Sequence, residues 1–82
     1  MMALLPLFIQ IAGNFVSNKG VLTSIESGIQ LGVDLYDLGK RLIEGSSDAP
    51  VDQLVAANAL VLELQSVRDQ KEALLAQIAP DS

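Results

Sequence analysis

The acidic side chains with the most suggestive spacing for chemistry lie between Glu26 and Asp37. Asp34 and Asp37 are three residues apart, so on a helix they share one face. Glu26 or Gln30 adds further oxygen atoms to that face, and grouped oxygen ligands bind divalent cations. The same spacing is typical of the solvated face of an amphipathic helix, and we adopt that interpretation. We therefore expect neither a metal site nor a cofactor.

Nucleophilic groups are present, but nothing in the sequence activates them. Ser46 with Ser47, and Ser66 near Lys71, supply hydroxyl and amine groups without a specified base or oxyanion site. The chain contains no histidine, which is the usual general base near neutral pH and the commonest metal ligand. It contains no cysteine, so thiolate chemistry and disulfides are excluded. The sequence predicts a protein that is not an enzyme.

The charge of the chain disfavours anionic partners. Ten acids against five bases give a net charge of −5. The bases are scattered, at Lys19, Lys40, Arg41, Arg68 and Lys71. Binding to nucleic acid requires a basic patch that neutralises phosphates, and binding to anionic membrane surfaces has the same requirement. We therefore expect no nucleic-acid partner.

The apolar content is high for a chain of this length. Its 82 residues make one small helical domain, residues 1–82, and half of them are hydrophobic while only 18% are charged. A chain this short has a thin core, so this composition exceeds what a self-contained domain needs. We expect other protein chains, or lipid, to cover part of the apolar surface.

The N-terminal segment, residues 1–18, has no charged side chain before Lys19. It lacks the basic region and cleavage site of a secretory signal, so we do not interpret it as a cleavable signal peptide. Gln10, Asn14 and Ser17 follow i, i+4, i+7 spacing and form one polar stripe on a helix over about residues 5–17. This helix is expected to be buried in a protein assembly. Membrane insertion or attachment is one alternative, although the run is short for a span, and a disordered or processed leader is another.

A second helix is predicted over about residues 24–44, after a turn at residues 19–23. Thr23 and Glu26 have the spacing of a capping box, which satisfies free amides in the first helical turn. Charged residues recur every three or four positions along one face, where Asp37 and Arg41 are placed for an i, i+4 ion pair.

A loop at residues 45–50 separates this helix from a third one over about residues 51–79. Gly45 is suited to end the second helix, and Asp48 is suited to cap the next one. A loop this short predicts an antiparallel helical hairpin, 24–44 with 50–79, in an all-α fold with the short N-terminal helix added. The third helix is longer than the second, so we expect the first helix, of the same chain or of a neighbouring subunit, to cover its uncovered end near Leu74, Leu75 and Ile78.

Three glycines occupy one face of the second helix. Gly28, Gly32 and Gly39 lie close together in angle, with Leu35 on the same face, and each costs about 1 kcal/mol in helix propensity. A glycine groove between aliphatic ridges lets another helix approach closely, and dispersion contacts offset that cost. The pattern predicts close helix packing in this chain or with another.

The third helix carries a second apolar side, formed by Val51, Val55 and Leu62. A helix that is apolar on two sides normally lies between two partners. The residues predicted to form interfaces are Leu7, Phe8, Ile11, Phe15, Gly28, Gly32, Leu35, Gly39, Val55, Leu62, Leu74 and Ile78.

These features favour a non-enzymatic structural or adaptor subunit of a multi-copy protein assembly, such as a virion component or a secretion-type apparatus. Its expected partner is protein, as a homo-oligomer or as part of a larger assembly. One alternative is a small membrane-active or membrane-anchored protein, holin-like, that uses residues 2–18. Another is a small helical inhibitor or regulator of a partner protein. The residues specify no compartment beyond association with a virion, another assembly or a membrane.

Overall fold

The computed structural model describes residues 4–78, which form four helices. They are α1 (Leu4–Ser17), α2 (Lys19–Leu22), α3 (Glu26–Glu44) and α4 (Val51–Ile78). The predicted all-α class is confirmed for this part of the chain. The last predicted position of the third helix, residue 79, lies outside the described residues.

The helices pack as a hairpin of α3 and α4, with α1 lying against both. The glycines of α3 show the directions. Gly39 adjoins Phe8 and Val61, whereas Gly32 adjoins Phe15 and Val67. Residue numbers therefore rise together along α1 and α4 and fall along α3. Thus α1 is antiparallel to α3 and parallel to α4.

The core lies between these three long helices and is wholly apolar among the described residues. It is centred on the phenylalanines of α1, which pack over the glycine face of α3. Its buried members are Leu5, Phe8, Ala12, Phe15, Ile29, Leu35, Ala57, Val61, Leu64 and Val67. Four of them come from α1, so this helix is an integral part of the core.

The connection between α1 and α3 differs from the prediction in two ways. The four-residue helix α2 occupies most of the stretch where a turn, 19–23, is expected. The predicted capping box does not form, because the Thr23 hydroxyl donates to the Lys19 carbonyl, at 2.7 Å between oxygens. Helix α3 instead begins after Ile25, which occupies the N-cap position with an extended backbone. The side chain of Ile25 makes no capping hydrogen bond. The Thr23 hydroxyl stabilises the end of α2 rather than the start of α3.

The loop between α3 and α4 ends the first helix as expected but starts the second differently. Gly45 caps α3, and its amide donates to the Arg41 carbonyl at 3.0 Å. Asp48 is not the N-cap of α4, since the helix begins at Val51 and the Pro50 carbonyl accepts the first helical hydrogen bonds. The side-chain acceptor at this helix start is Asp52, whose Oδ1 accepts from the Gln53 amide at 3.0 Å.

Within this chain, α1 does not lie over the C-terminal end of α4, while cover of that end by the first helix of a neighbouring subunit stays a prediction. Phe15 reaches Val67, and the chain then turns away through α2, where Lys19 pairs with Glu63 at 3.1 Å. Gly32 lies near Val67 and Gly39 near Val61, so the start of α3 is level with about residue 73 of α4, and roughly 7 Å of α4 extends past it. Leu74 and Leu75 remain 38% and 52% exposed. The side chain of Ile78 lies outside the described residues.

Candidate interaction surfaces

The glycine groove of α3 is filled by side chains and backbone of the same chain. A Cβ atom added at Gly32 would lie 2.6 Å from Val67 Cγ1, and one at Gly39 would lie 2.5 Å from Phe8 Cζ. At Gly28 it would overlap the backbone carbonyl of Leu22. These distances leave no room for a side chain, so the close helix packing expected from the glycines occurs inside the bundle.

Half of the predicted interface residues therefore lie in the interior of this chain. They are Phe8, Phe15, Gly28, Gly32, Leu35 and Gly39, and all are buried. Their burial leaves Leu7, Ile11, Val55, Leu62 and Leu74 as the predicted interface residues whose exposed side chains the structure describes. Surfaces available to a partner have to be built around this second group.

The first such surface lies along the seam between α1 and α3, and we name it the α1–α3 ridge. It consists of Leu4, Leu7 and Ile11 on α1 with Leu31 and Leu38 on α3, each between 42% and 51% exposed. The α1 residues follow i, i+3, i+7 spacing and the α3 residues are seven apart, so each set forms a straight stripe.

Helix geometry places the two stripes of the α1–α3 ridge side by side. The opposite edge of α3 faces α4, because the ring of Tyr36 lies 5.5 Å from Arg68 Cζ. Leu31 and Leu38 therefore occupy the edge of α3 next to α1. Because α1 runs antiparallel to α3, the same helical geometry turns the exposed stripe of α1 toward α3. The two stripes therefore lie on either side of the seam between α1 and α3. Sequence reasoning found Leu7 and Ile11 but omitted Leu4, Leu31 and Leu38 from the candidate interface.

The second surface, the α4 stripe, runs along the outside of the first half of α4. Val51, Val55 and Leu62 are between 63% and 75% exposed, and they lie away from the core-facing residues Ala57 and Leu64. The structure thus places these side chains on the outer side of the helix, as the sequence pattern indicates.

The third surface, the end groove, lies where α4 extends past the start of α3. One wall is formed by the segment 23–30, and the other by residues 70–75 of α4. The cleft has a volume of about 480 Å³ and its lining is predominantly apolar. Ile25 and Leu75 are exposed on opposite walls. Leu74 was among the interface residues predicted from the sequence. Ile25 was not, because its position in the groove depends on where the short helix α2 ends, at Leu22.

Polar side chains bridge the two walls of the end groove. The Lys71 ammonium donates to the side-chain oxygen of Gln30, and Gln70 Nε2 donates to the Thr23 carbonyl at 3.5 Å. The stem of Lys71 crosses the apolar surface before its amine reaches this partner, as is usual for long cationic side chains. These contacts hold the start of α3 against the last turns of α4.

The acids considered for metal binding do not gather into a site. Among residues 4–78, no three His, Cys, Asp or Glu side chains are grouped to bind a metal ion. Asp34 Oδ1 accepts a hydrogen bond from Gln30 at 3.0 Å. The expected Asp37–Arg41 ion pair does not form; within the described part of the chain the ion pairs are Lys19–Glu63 and Arg68–Glu72.

No helix between residues 4 and 78 has both the length and the apolar content to cross a bilayer. Helix α1 has 14 residues, about 21 Å along its axis, and buries Leu5, Phe8, Ala12 and Phe15 in the core.

The three surfaces together contain all the large, strongly exposed hydrophobic side chains of the described helices except Val21. Each surface is continuous along a helix or between two helices. Their chemistry is that of apolar contact, with few charged groups inside each patch. The chain matches no protein-family model, no curated protein sequence and no solved structure.

Proposed function

We propose that this protein is a non-enzymatic helical subunit that forms a multi-copy assembly through its exposed aliphatic surfaces. The observation that carries the proposal is the helical spacing of the exposed aliphatic side chains. Within residues 4–78, twelve large hydrophobic side chains are exposed, eight are buried and eight more are partly buried against the core. Contiguous exposed apolar patches on a protein mark contact sites.

The arrangement of these side chains supports contact with protein. Scattered single aliphatics are normal on protein surfaces and need no explanation. Here they recur at helical spacing in the α1–α3 ridge and the α4 stripe, so each surface presents a face that another helix can pack against. Burying apolar area stabilises an assembly by about 25 cal/mol per Å².

Having several separate surfaces favours more than a simple pair. The α1–α3 ridge and the α4 stripe lie on different sides of the bundle, so one copy can contact two neighbours at once. Contacts between unlike surfaces generate rings or filaments, whereas contacts between like surfaces generate closed pairs. The absence of charge in α1 is consistent with a contact that excludes water.

Light scattering coupled to size exclusion, on the full chain without detergent, tests this proposal. We expect a defined oligomer whose size falls when the double variant Leu7→Gln, Ile11→Gln is used. Gln is suitable because it removes the apolar stripe without disturbing the buried face of α1. Removing residues 1–18 would not serve, because it would also remove Phe8 and Phe15 from the core.

The matched control is Gln10→Ala, an exposed position on the same helix that lies outside the ridge. It should leave the oligomer unchanged. A chain that remains monomeric at all concentrations would overturn the proposal, as would one that is recovered only in detergent. The second result would favour the membrane alternative.

A further inference from the structure

The core-facing residues of α4 continue past the bundle without a break. Ala57, Leu60, Leu64, Val67, Lys71 and Leu74 follow alternating steps of three and four residues, the spacing of a packed helical seam. Up to Val67 this seam is covered by α1 and α3. Beyond it, Leu74 and Leu75 face the end groove, where only the start of α3 lies beside them. The start of α3 thus covers this end of the seam on one side, and Leu74 and Leu75 stay partly exposed on the other.

The charges of the end groove are complementary to each other. Glu26 lies on one wall and Lys71 on the other, yet the two do not form an ion pair within the chain. The Lys71 ammonium donates instead to the neutral amide of Gln30. A groove with one cation and one anion is complementary to a copy of itself, since a two-fold axis brings each charge toward its opposite.

We propose that the end groove is a symmetric contact with a second copy of this chain. In this arrangement the overhanging end of α4 crosses that of the second copy, with Leu75 next to the two-fold axis. Lys71 of each copy approaches Glu26 of the other, and the aliphatic walls cover each other. The proposal rests on the proposed function and names one surface through which copies associate.

A second copy fits this groove better than a lipid surface. Insertion into a bilayer would take both Glu26 and Lys71 out of water without an ion pair between them, which is strongly unfavourable. The contact also continues the seam that already packs inside the bundle, so the second copy covers the side that α3 leaves exposed. Because Gly32 adjoins Val67 and Gly39 adjoins Val61, the start of α3 is level with about residue 73 of α4, so roughly 7 Å of α4, a little over one helical turn, extends past it for the contact.

Single-cysteine cross-linking tests the proposal directly, because the natural chain contains no cysteine. The full-length variant Leu75→Cys is oxidised in dilute solution, and the fraction of disulfide-linked dimer is measured on a non-reducing gel. A residue beside the two-fold axis lies near its own copy, so most of the protein should be cross-linked. The matched control is Ala73→Cys, which is exposed on the opposite side of the same helix and should be cross-linked several-fold less.

Charge reversal gives a second, independent readout. Glu26→Lys and Lys71→Glu should each lower the dimer fraction in sedimentation equilibrium, and the double reversal should restore it. If the protein is oligomeric but Leu75→Cys and Ala73→Cys are cross-linked equally, the groove contact is wrong while the proposed function stands. If scattering shows only monomer, both proposals fail. Failure of the double reversal to restore the dimer would also count against the groove contact.

Discussion

The six glycines differ in what surrounds them. Gly28 lies against the carbonyl of Leu22, which is backbone and cannot move aside without shifting α2. Gly13, in the interior of α1, has no atom from outside its own stretch of helix backbone within 4 Å of the position that a Cβ would occupy. Gly28 lies in the first turn of α3, where the propensity penalty of glycine is smaller, so packing dominates the effect of a methyl group there.

We therefore expect Gly28→Ala and Gly13→Ala to change stability in opposite directions. Gly28→Ala should lower the free energy of unfolding by roughly 1–3 kcal/mol, because overlap with backbone exceeds the gain in propensity. Gly13→Ala should raise it by about 0.5–1 kcal/mol. Urea unfolding followed by circular dichroism measures both. Equal stabilisation by the two variants would show that α2 does not pack against Gly28.

The sequence alone identified the glycine face but not what fills it. Helical spacing places Gly28, Gly32 and Gly39 together, and small residues on one face indicate a close approach. Whether the approaching group belongs to the same chain depends on three-dimensional positions that spacing does not encode. The phenylalanines of α1 fill the groove because α1 turns back over α3, and that turn is made by α2.

At the level of helices, the position of α1 governs the core. Its two faces differ sharply: Phe8 is 1% exposed and contacts the region of Gly39 and Val61, while neighbouring Leu7 is 51% exposed on the ridge. A helix of 14 residues is marginal by itself in water, so α1 depends on this buried face for its structure.

Alanine substitutions on the two faces of α1 should separate folding from assembly. Phe8→Ala should cost about 3–5 kcal/mol of stability, because it leaves a cavity over the glycines. Leu7→Ala should cost well under about 1 kcal/mol in dilute solution, as is usual for exposed positions. Thermal unfolding of both variants gives the comparison. Similar losses for the two would mean that α1 is not docked through Phe8.

The sequence predicted the long helices better than their contacts. The limits of α3 and α4 came from propensity, periodicity and the Gly45 stop, which act locally and can be seen in the sequence. The capping box failed because a threonine hydroxyl has two uses: it can cap the next helix or bond back to the previous turn, as Thr23 does with Lys19. The end groove was only partly predicted, since Ile25 reaches it through the geometry of that connection.

For the whole molecule, the elongated shape follows from the unequal helices. The bundle measures 47 × 25 × 19 Å, and its long axis reflects α4. Small domains are held by only about 5–15 kcal/mol, and an elongated one has less core for its surface. Any contact that covers the overhanging end therefore adds a substantial fraction to the stability of the fold.

If copies associate through the end groove, stability must depend on protein concentration. Association involves only folded chains, so a higher concentration shifts the unfolding equilibrium toward the folded state. Raising the concentration about a hundredfold should raise Tm by roughly 5–10 °C for a domain of this size.

Leu75→Asp places an acid in the groove that also contains Glu26 and should largely abolish the dependence of Tm on concentration. Ala73→Asp, on the opposite side of α4, should retain it. Differential scanning calorimetry at several concentrations measures all three proteins. A Tm independent of concentration in the natural chain would mean that the bundle is stable without a neighbour and that the overhang of α4 has another use.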